Sequence, residues 1–296
     1  MSLSEQHADL PSLLDTIEYG EQIPALPAGV PELLRALTSP EIGIGDLNGQ
    51  ISRFPSISSR LIFLANSAWA APAVPIASLE VACSKLGLTL IRSVCLAMSI
   101  AAPFNPVRCS GFDSNRYWLS ALLVADTARR LGELSPRIKS DEISVLQTVG
   151  LLHNIGLLWL ADRFPILTSA ALKDTGDDDN AIPSIGESLL NYCRTGYAEV
   201  GGRLADAWEL PEPLSLALRY HNDPTYRGDG EAVVHTLGLA TKLADLLIYE
   251  VELDAVTLPQ AETVEISEES LADLLSAQRG RLENLRELVT SYLASA

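Results

Sequence analysis

The sequence predicts an all-α protein. In segment after segment, apolar residues recur three or four positions apart, which is the spacing of an amphipathic helix. No segment shows convincing alternation of apolar and polar residues, the pattern of a half-buried strand. Proline or glycine marks many segment ends, where these residues stop helices. The chain has 296 residues, 47% hydrophobic and 20% charged, which is the composition of an ordinary globular protein.

The first third of the chain is predicted to contain five or more short helices. Residues 1–22 form a lead-in, and residues 23–102 form an N-terminal helical lobe. Within this lobe, Ser78 is a predicted N-cap because its hydroxyl can accept a backbone N–H. Gly87 is a predicted C-cap, since glycine tolerates the backbone conformation found where helices end.

Residues 103–113 are rich in proline, glycine and serine and are predicted to separate the N-terminal lobe from a second one. The second helical lobe covers residues 114–250, and a linker with a C-terminal helix covers residues 251–296. Ser267 is the predicted N-cap of that last helix. Its leucine stripe is expected to pack on the body of the protein or on a second copy, which leaves homo-oligomerisation open.

Residues 145–161 are apolar on every side at helical spacing and predict one fully buried helix at the centre of the core. Gln147, His153 and Asn154 interrupt the run, so it lacks the apolar span of about 20 residues that a membrane helix needs. His153 and Asn154 are an adjacent polar pair, and burial of such groups is costly unless they are hydrogen-bonded or bind a ligand. A functional site is therefore expected there first.

Composition excludes several classes of function. The net charge of −17 opposes non-specific binding to nucleic acid, because few cations are available to displace phosphate counterions. The four cysteines (Cys83, Cys95, Cys109 and Cys193) include no CxxC pair and predict reduced, inert thiols. Residues 1–19 lack the pattern of a signal peptide. The expected location is the cytoplasm, without a membrane or nucleic-acid partner.

Local motifs add little by themselves. Residues 43–49 imitate a dinucleotide-binding fingerprint but have the wrong final spacing and no preceding strand. No carboxylate pair is singled out by an apolar setting, so paired-carboxylate catalysis has no specific support. His153, His221 and His235 could converge on one metal, yet they lack local ligand spacing. Each histidine alone is more often a hydrogen-bonded core residue.

Several segments together resemble the HDOD family. They are Leu26-Pro27, Ser39-Pro40, the Leu-Ala-Asn-Ser-Ala-Trp run at 64–69, Ser78-Leu79 with Leu86-Gly87, and Leu-Leu-His-Asn-Ile-Gly at 151–156. HDOD domains are helical relatives of the HD-type phosphohydrolases and occur in bacterial signalling proteins. The resemblance, which extends from about residue 20 to 250, implies a two-lobed, HD-domain-like all-α bundle. It also implies structural roles for the motif residues Asn66, Ser67, Gly87 and Gly156.

The resemblance further implies a remnant of the HD metal site, with four departures from the working pattern. Leu119 stands where the upstream histidine is expected, and Asn154 replaces the aspartate of the His-Asp pair. Tyr197 stands where relatives often carry histidine, and Thr241 occupies the expected place of the late aspartate. Hard divalent cations need carboxylate or water oxygens, and a hydrolytic metal needs several protein ligands. No catalytic metal and no cofactor are therefore expected.

The sequence favours a non-catalytic signalling module that acts through contacts with other signalling proteins. One alternative is a metal-dependent phosphohydrolase of nucleotides or cyclic dinucleotides that keeps His153 and His221 as ligands. Another is a sensor in which the remnant pocket binds a small anion or nucleotide. The candidate pocket residues are His153, Asn154, Leu119, Tyr197, His221 and Thr241.

Overall fold

The computed structural model describes residues 23, 43–67, 70–174 and 185–290. The predicted lead-in at residues 1–22, the segment 24–42 and Trp69 lie outside these residues. Within them, all regular secondary structure is helical, which confirms the all-α prediction. The helices are α1 (Ile44–Ile51), α2 (Pro55–Asn66), α3 (Leu79–Leu86), α4 (Leu88–Ala101), α5 (Ser114–Leu134), α6 (Glu142–Leu152), α7 (Ile155–Arg163), α8 (Pro165–Lys173), α9 (Ile185–Cys193), α10 (Tyr197–Ala207), α11 (Glu212–Tyr220), α12 (Glu231–Ile248), α13 (Pro259–Thr263) and α14 (Glu268–Leu288). Short 3₁₀ turns lie at Pro106–Arg108 and Leu253–Ala255.

The predicted caps of α3 have the expected geometry. The Ser78 hydroxyl accepts a hydrogen bond from the backbone N–H of Val81 at 3.3 Å. Gly87 has a φ of +82°, a conformation that side-chain-bearing residues rarely adopt. This backbone turn lets α4 leave α3 at an angle of 112°.

Asn66 and Ser67 close the loop between α2 and α3. The Asn66 amide nitrogen donates to the Ile76 carbonyl at 2.7 Å, and its oxygen accepts from the Ile76 N–H at 2.7 Å. The Ser67 hydroxyl donates to the Leu64 carbonyl at 2.7 Å and accepts from the Ala70 N–H. The Asn66 bonds satisfy the backbone of the loop residue Ile76, and the Ser67 hydroxyl satisfies the Leu64 carbonyl at the end of α2, which fits the structural role implied for both residues.

Helix α5 lies at the centre of the molecule and packs against α6, α12 and α14. Helix α6 also packs against α4, where the hydroxyls of Ser93 and Thr148 are hydrogen-bonded at 2.9 Å. One apolar core runs from Leu47 to Val289 through the helices of both predicted lobes. The division into lobes at residues 103–113 therefore stays a sequence-based prediction.

The central run is two helices, so the prediction of one helix over 145–161 is wrong. Helix α6 ends at Leu152 and α7 begins at Ile155, with a turn at His153 and Asn154. Asn154 has left the helical conformation (φ −103°, ψ 14°), and its side chain is hydrogen-bonded to the backbone of α5. The break places both polar side chains where α5, α6 and α7 meet.

Gly156 lets α7 approach α10 closely. A Cβ atom at this position would lie 2.0 Å from the Tyr197 carbonyl oxygen and 2.8 Å from the Gly201 nitrogen. Both are backbone atoms, so they could move away only if the whole helix moved. Glycine at this position fixes where α10 begins relative to the His153-Asn154 turn.

The C-terminal helix α14 packs on the body of its own chain, against α5 and α12. Its inward stripe includes Leu271, Leu275, Leu282 and Leu285, all buried. Of the two possibilities that the sequence left open, the described part of this helix therefore follows the first, packing on the body of its own chain. Tyr292, beyond its end, lies outside the described residues.

One stretch, Glu142–Arg163, is long and apolar enough to cross a membrane by length and composition. In this protein, 72% of its most apolar window is buried inside the fold. The bent pair α3 and α4 passes the same test only if counted as one span. A helix buried in the core of a soluble protein can have the same length and apolar composition. These segments are therefore only weak evidence for a membrane span.

Candidate functional site

A cavity of about 630 Å³ opens beside the turn between α6 and α7. Helices α5, α9, α10 and α12 form much of its wall. Four predicted residues line it, namely His153, Asn154, Tyr197 and Thr241. A volume of this size is typical of sites for small organic ligands.

The other two predicted residues, His221 and Leu119, do not line the cavity. The His221 ring lies directly behind it, with its centroid 6.1 Å from that of His153 and 5.8 Å from that of Tyr197. Leu119 is buried in the apolar core, and its neighbour Ser120 faces the cavity. The expectation that Leu119 belongs to the pocket is therefore wrong by one position on α5.

Both polar atoms of the His153 ring have protein partners. Nδ1 lies 2.8 Å from the Gly150 carbonyl, which can only accept, so Nδ1 carries the proton. Nε2 is then an acceptor and lies 3.3 Å from the Ser120 hydroxyl. Burial, with a smaller effect of His221, lowers the pKa of His153 to about 3. The ring is therefore neutral at physiological pH.

His221 is held in the same tautomer. Its Nδ1 lies 2.9 Å from the Leu218 carbonyl and 3.2 Å from the Ala217 carbonyl. Its Nε2 is buried without a hydrogen-bond partner among the described residues. Burial lowers the pKa of this ring to about 4. The site thus contains two neutral imidazoles rather than a charged pair.

Of the two polar atoms of the Asn154 side chain, one has a hydrogen-bond partner among the described residues. Its amide nitrogen donates to the Tyr117 carbonyl at 3.1 Å, which joins the helical turn to α5. Its Oδ1 is buried and has no partner among the described residues. The Thr241 hydroxyl donates to the Leu237 carbonyl of its own helix at 3.0 Å. Neither side chain supplies a negative charge.

Tyr197 and His235 have separate surroundings. Burial, together with the charge of Asp245, raises the pKa of Tyr197, whose hydroxyl also interacts with the Asn222 side chain. His235 lies apart from the other two histidines and contacts the Tyr226 carbonyl at 3.0 Å. The structure therefore brings together two of the three histidines that the sequence offered as candidates.

Asp245 is a cavity residue that sequence reasoning missed. It lies one helical turn beyond Thr241 on α12 and lines the same cavity. Its side chain is partly exposed. Burial among protein atoms raises its pKa to about 7, although the positive charge of Lys242 acts in the opposite direction. Asp245 is a single acid, so the expectation that no carboxylate pair is singled out by an apolar setting is not contradicted. A single acid in the apolar run from 243 to 248 was the available signal.

The mouth of the cavity carries a second group that the sequence did not reveal. The Arg116 guanidinium lies 5.4 Å from the centre of the Tyr249 ring and donates to its hydroxyl at 3.4 Å. These residues come from the first turn of α5 and the end of α12. Only the tertiary fold brings them together, because 132 residues of sequence lie between them.

The donor set does not fit a hydrolytic metal. Among the described residues, no group of three or more histidine, cysteine, aspartate or glutamate side chains could hold a metal ion. Asn154 and Thr241, at the positions that the family resemblance assigns to carboxylates of the HD pattern, are neutral. A divalent ion in this cavity would lose hydration without the charge and oxygen donors that normally replace it.

Known proteins resemble this chain in sequence or in fold. An uncharacterized protein of Treponema pallidum (strain Nichols) is 25% identical over 214 residues, which are 72% of this chain but only 39% of that protein. The structure of a proposed signal transduction protein from Marinobacter aquaeolei VT8 aligns with a TM-score of 0.77 at 21% identity, over 97% of this chain and 62% of that chain. A proposed phosphohydrolase from Shewanella amazonensis SB2B aligns with a TM-score of 0.72 at 21% identity, over 94% and 97% of the two chains.

The chain spans less than two thirds of the length of the first two of these proteins. At 21% identity, the likeness to the two solved structures shows a shared fold and no more. A sequence model of the HDOD domain matches residues 23–224. That range is more than half of the 296 residues and includes most of the cavity. The match confirms the family resemblance read from the sequence, and the chain belongs to the HDOD family.

Proposed function

We propose that this HDOD protein is a non-catalytic signalling module that acts through contacts with other signalling proteins. The observation that carries the proposal is the use of the former catalytic pair for structure. The His153 ring bonds to Gly150 and Ser120, and the Asn154 amide bonds to Tyr117. The pair therefore joins α5 to the turn between α6 and α7, a role that requires no metal.

The two structural relatives have names that point in different directions, one to signal transduction and one to phosphohydrolysis. At 21% identity, neither name transfers with the fold. Site chemistry favours the signalling role, because the cavity lacks a cluster of metal ligands among the described residues. Asp245 adds one carboxylate to the phosphohydrolase alternative, but it does not complete a group of three or more metal ligands among the described residues.

An assay of phosphoester hydrolysis tests the non-catalytic part. We expect purified protein with Mn²⁺, Fe²⁺ or Zn²⁺ to cleave bis(4-nitrophenyl) phosphate, ATP and a cyclic dinucleotide no faster than its His153→Ala variant. Metal-dependent turnover that this substitution abolishes would contradict the proposal.

Proximity labelling in the native cell tests the part of the proposal that concerns protein contacts. Signalling proteins should be labelled more strongly by this protein than by an unrelated acidic control protein. No enrichment would argue against a role in protein contacts.

A further inference from the structure

The charged wall of the cavity has an excess of acid. Among the described residues that line it, five are carboxylates and three are cations. The carboxylates are Asp113, Glu187, Glu199, Asp223 and Asp245, and the cations are Arg116, Arg219 and Lys242. Glu199 is already paired with Arg203 and Arg219, at 2.7 and 3.5 Å. The other four carboxylates still outnumber Arg116 and Lys242, so the wall favours a positively charged occupant over a negatively charged one.

Two of the three cations already have protein partners. The Arg219 guanidinium lies 2.6 Å from the Asp206 carboxylate and 3.5 Å from that of Glu199. The Arg116 guanidinium lies over the Tyr249 ring and donates to its hydroxyl. An anion would have to compete with these interactions, so the site is a poor match for the small anion or nucleotide that the sequence left open.

The inner end of the cavity presents hydrogen-bond acceptors. The Asn154 side chain is 5% exposed, and its Oδ1 has no partner among the described residues. The His153 Nε2 is an acceptor because the ring proton is held on Nδ1 by the Gly150 carbonyl. The His153 Nε2 already accepts from the Ser120 hydroxyl at 3.3 Å, so the Asn154 Oδ1 is the acceptor that lacks a donor here. A buried acceptor without a donor is costly, and this atom therefore favours a ligand that carries an N–H group.

Aromatic side chains line the same cavity. They are Phe112, Tyr117, Tyr197 and Tyr249. The faces of such rings attract ammonium and guanidinium groups, and aromatic walls with a nearby carboxylate are a common means of binding organic cations. The Arg116 guanidinium over Tyr249 shows that this wall already holds one cation of the protein itself.

We propose that this cavity binds a small organic cation with N–H donors, such as an alkylammonium or amidinium compound. The Asp245 carboxylate and the aromatic wall hold the cationic group, and an N–H group donates to the Asn154 Oδ1. The volume of about 630 Å³ accommodates such a molecule. This inference goes beyond the proposed signalling role, because it assigns a ligand class to the cavity whatever protein the module contacts.

Calorimetric titration with compounds of matched shape and different charge tests the inference. The probes are 2-phenylethylamine and benzamidine as cations, 2-phenylethanol as the neutral compound and phenylacetate as the anion. We expect the cations to bind and phenylacetate to bind at least tenfold more weakly, a difference of about 1.4 kcal/mol. No binding of either cation at millimolar concentration, or equal binding of phenylacetate, would overturn the inference.

Variants locate the binding in the cavity. Asp245→Asn keeps the side-chain shape and should weaken the binding of 2-phenylethylamine by roughly tenfold or more. Tyr249→Leu removes an aromatic ring and should also weaken it. Glu283→Gln is the control, because this carboxylate lies on α14, away from the cavity, and its side chain is 73% exposed. Equal loss in Glu283→Gln and Asp245→Asn would show a general attraction to the acidic surface and overturn the assignment.

The two proposals can fail separately. Phosphoester turnover would contradict the non-catalytic role without changing the titration with organic cations. Conversely, a protein that binds none of these cations could still act through protein contacts.

Discussion

Replacing Gly156 with alanine is expected to destabilise the protein by roughly 3 kcal/mol or more. The new Cβ atom would lie 2.0 Å from the Tyr197 carbonyl oxygen and 2.8 Å from the Gly201 nitrogen. Because both are backbone atoms of α10, the clash cannot be relieved by a change of rotamer. Helices α7 and α10 would have to separate, and the packing between them would be lost.

Gly280→Ala is the matched control for this substitution. Gly280 lies inside α14, and a Cβ atom there would meet nothing within 4 Å. Alanine is a better helix former than glycine by about 1 kcal/mol, so this variant should be as stable as the parent or more stable. Denaturant unfolding measures both changes. A Gly156→Ala variant as stable as Gly280→Ala would contradict the close approach of α7 and α10.

The effect of Gly156→Ala should extend to the cavity. The carbonyl that it displaces belongs to Tyr197, which lines the cavity and contacts the His221 ring. Helix displacement at this point would change the wall even in molecules that still fold. A family-motif glycine without a functional side chain therefore controls the shape of the candidate site.

Removing the Asp126 carboxylate, as in Asp126→Ala, is expected to cost about 2 kcal/mol. The side chain of this residue is 9% exposed, and its oxygens lie 2.9 Å from Arg130 Nε, 3.1 Å from Arg129 Nη2 and 3.4 Å from Arg281 Nη1. Gln278 donates to it at 3.0 Å. Gln278 and Arg281 belong to α14, so the carboxylate fastens the C-terminal helix to α5. The cost stays moderate because the arginines are 27–32% exposed and can regain water.

Acidification should act on the same contact. Burial alone would raise the pKa of Asp126, but the charges and hydrogen bond of its arginine partners lower it below the ordinary value of 3.8. Its contribution to stability is therefore present above pH 3.8 and is lost as the pH falls through the lower pKa of the folded protein.

Glu133→Gln is the control for the Asp126→Ala substitution, since the Glu133 carboxylate is 50% exposed and also pairs with Arg129. It should cost less than about 1 kcal/mol, and an equal cost for both variants would contradict the account.

Much of the fold could be predicted because its causes are local. Helical periodicity identifies most helices, and a hydroxyl at an N-cap acts on the next few residues, as at Ser78 and Ser267. Gly87 marks a turn because its backbone conformation suits glycine. The family motif then indicated how such helices assemble, which periodicity alone does not specify.

The site was harder to predict because its features depend on tertiary contacts. The turn at His153 and Asn154 depends on the Tyr117 carbonyl of another helix, so an apolar run alone predicted one continuous helix. The choice between Leu119 and Ser120 depends on the rotation of α5 against its neighbours. Asp245 gained its significance only when α12 was placed beside the cavity.

The central claim is that the pair His153 and Asn154 has become part of the structural framework. Metal retention tests this claim most directly. The protein would be loaded with Mn²⁺, Fe²⁺ or Zn²⁺, separated from free ions by gel filtration and analysed for bound metal. We expect no more retained metal than in the His153→Ala variant, because no cluster of metal ligands is found among the described residues. One equivalent of metal per chain, lost on His153→Ala, would contradict it.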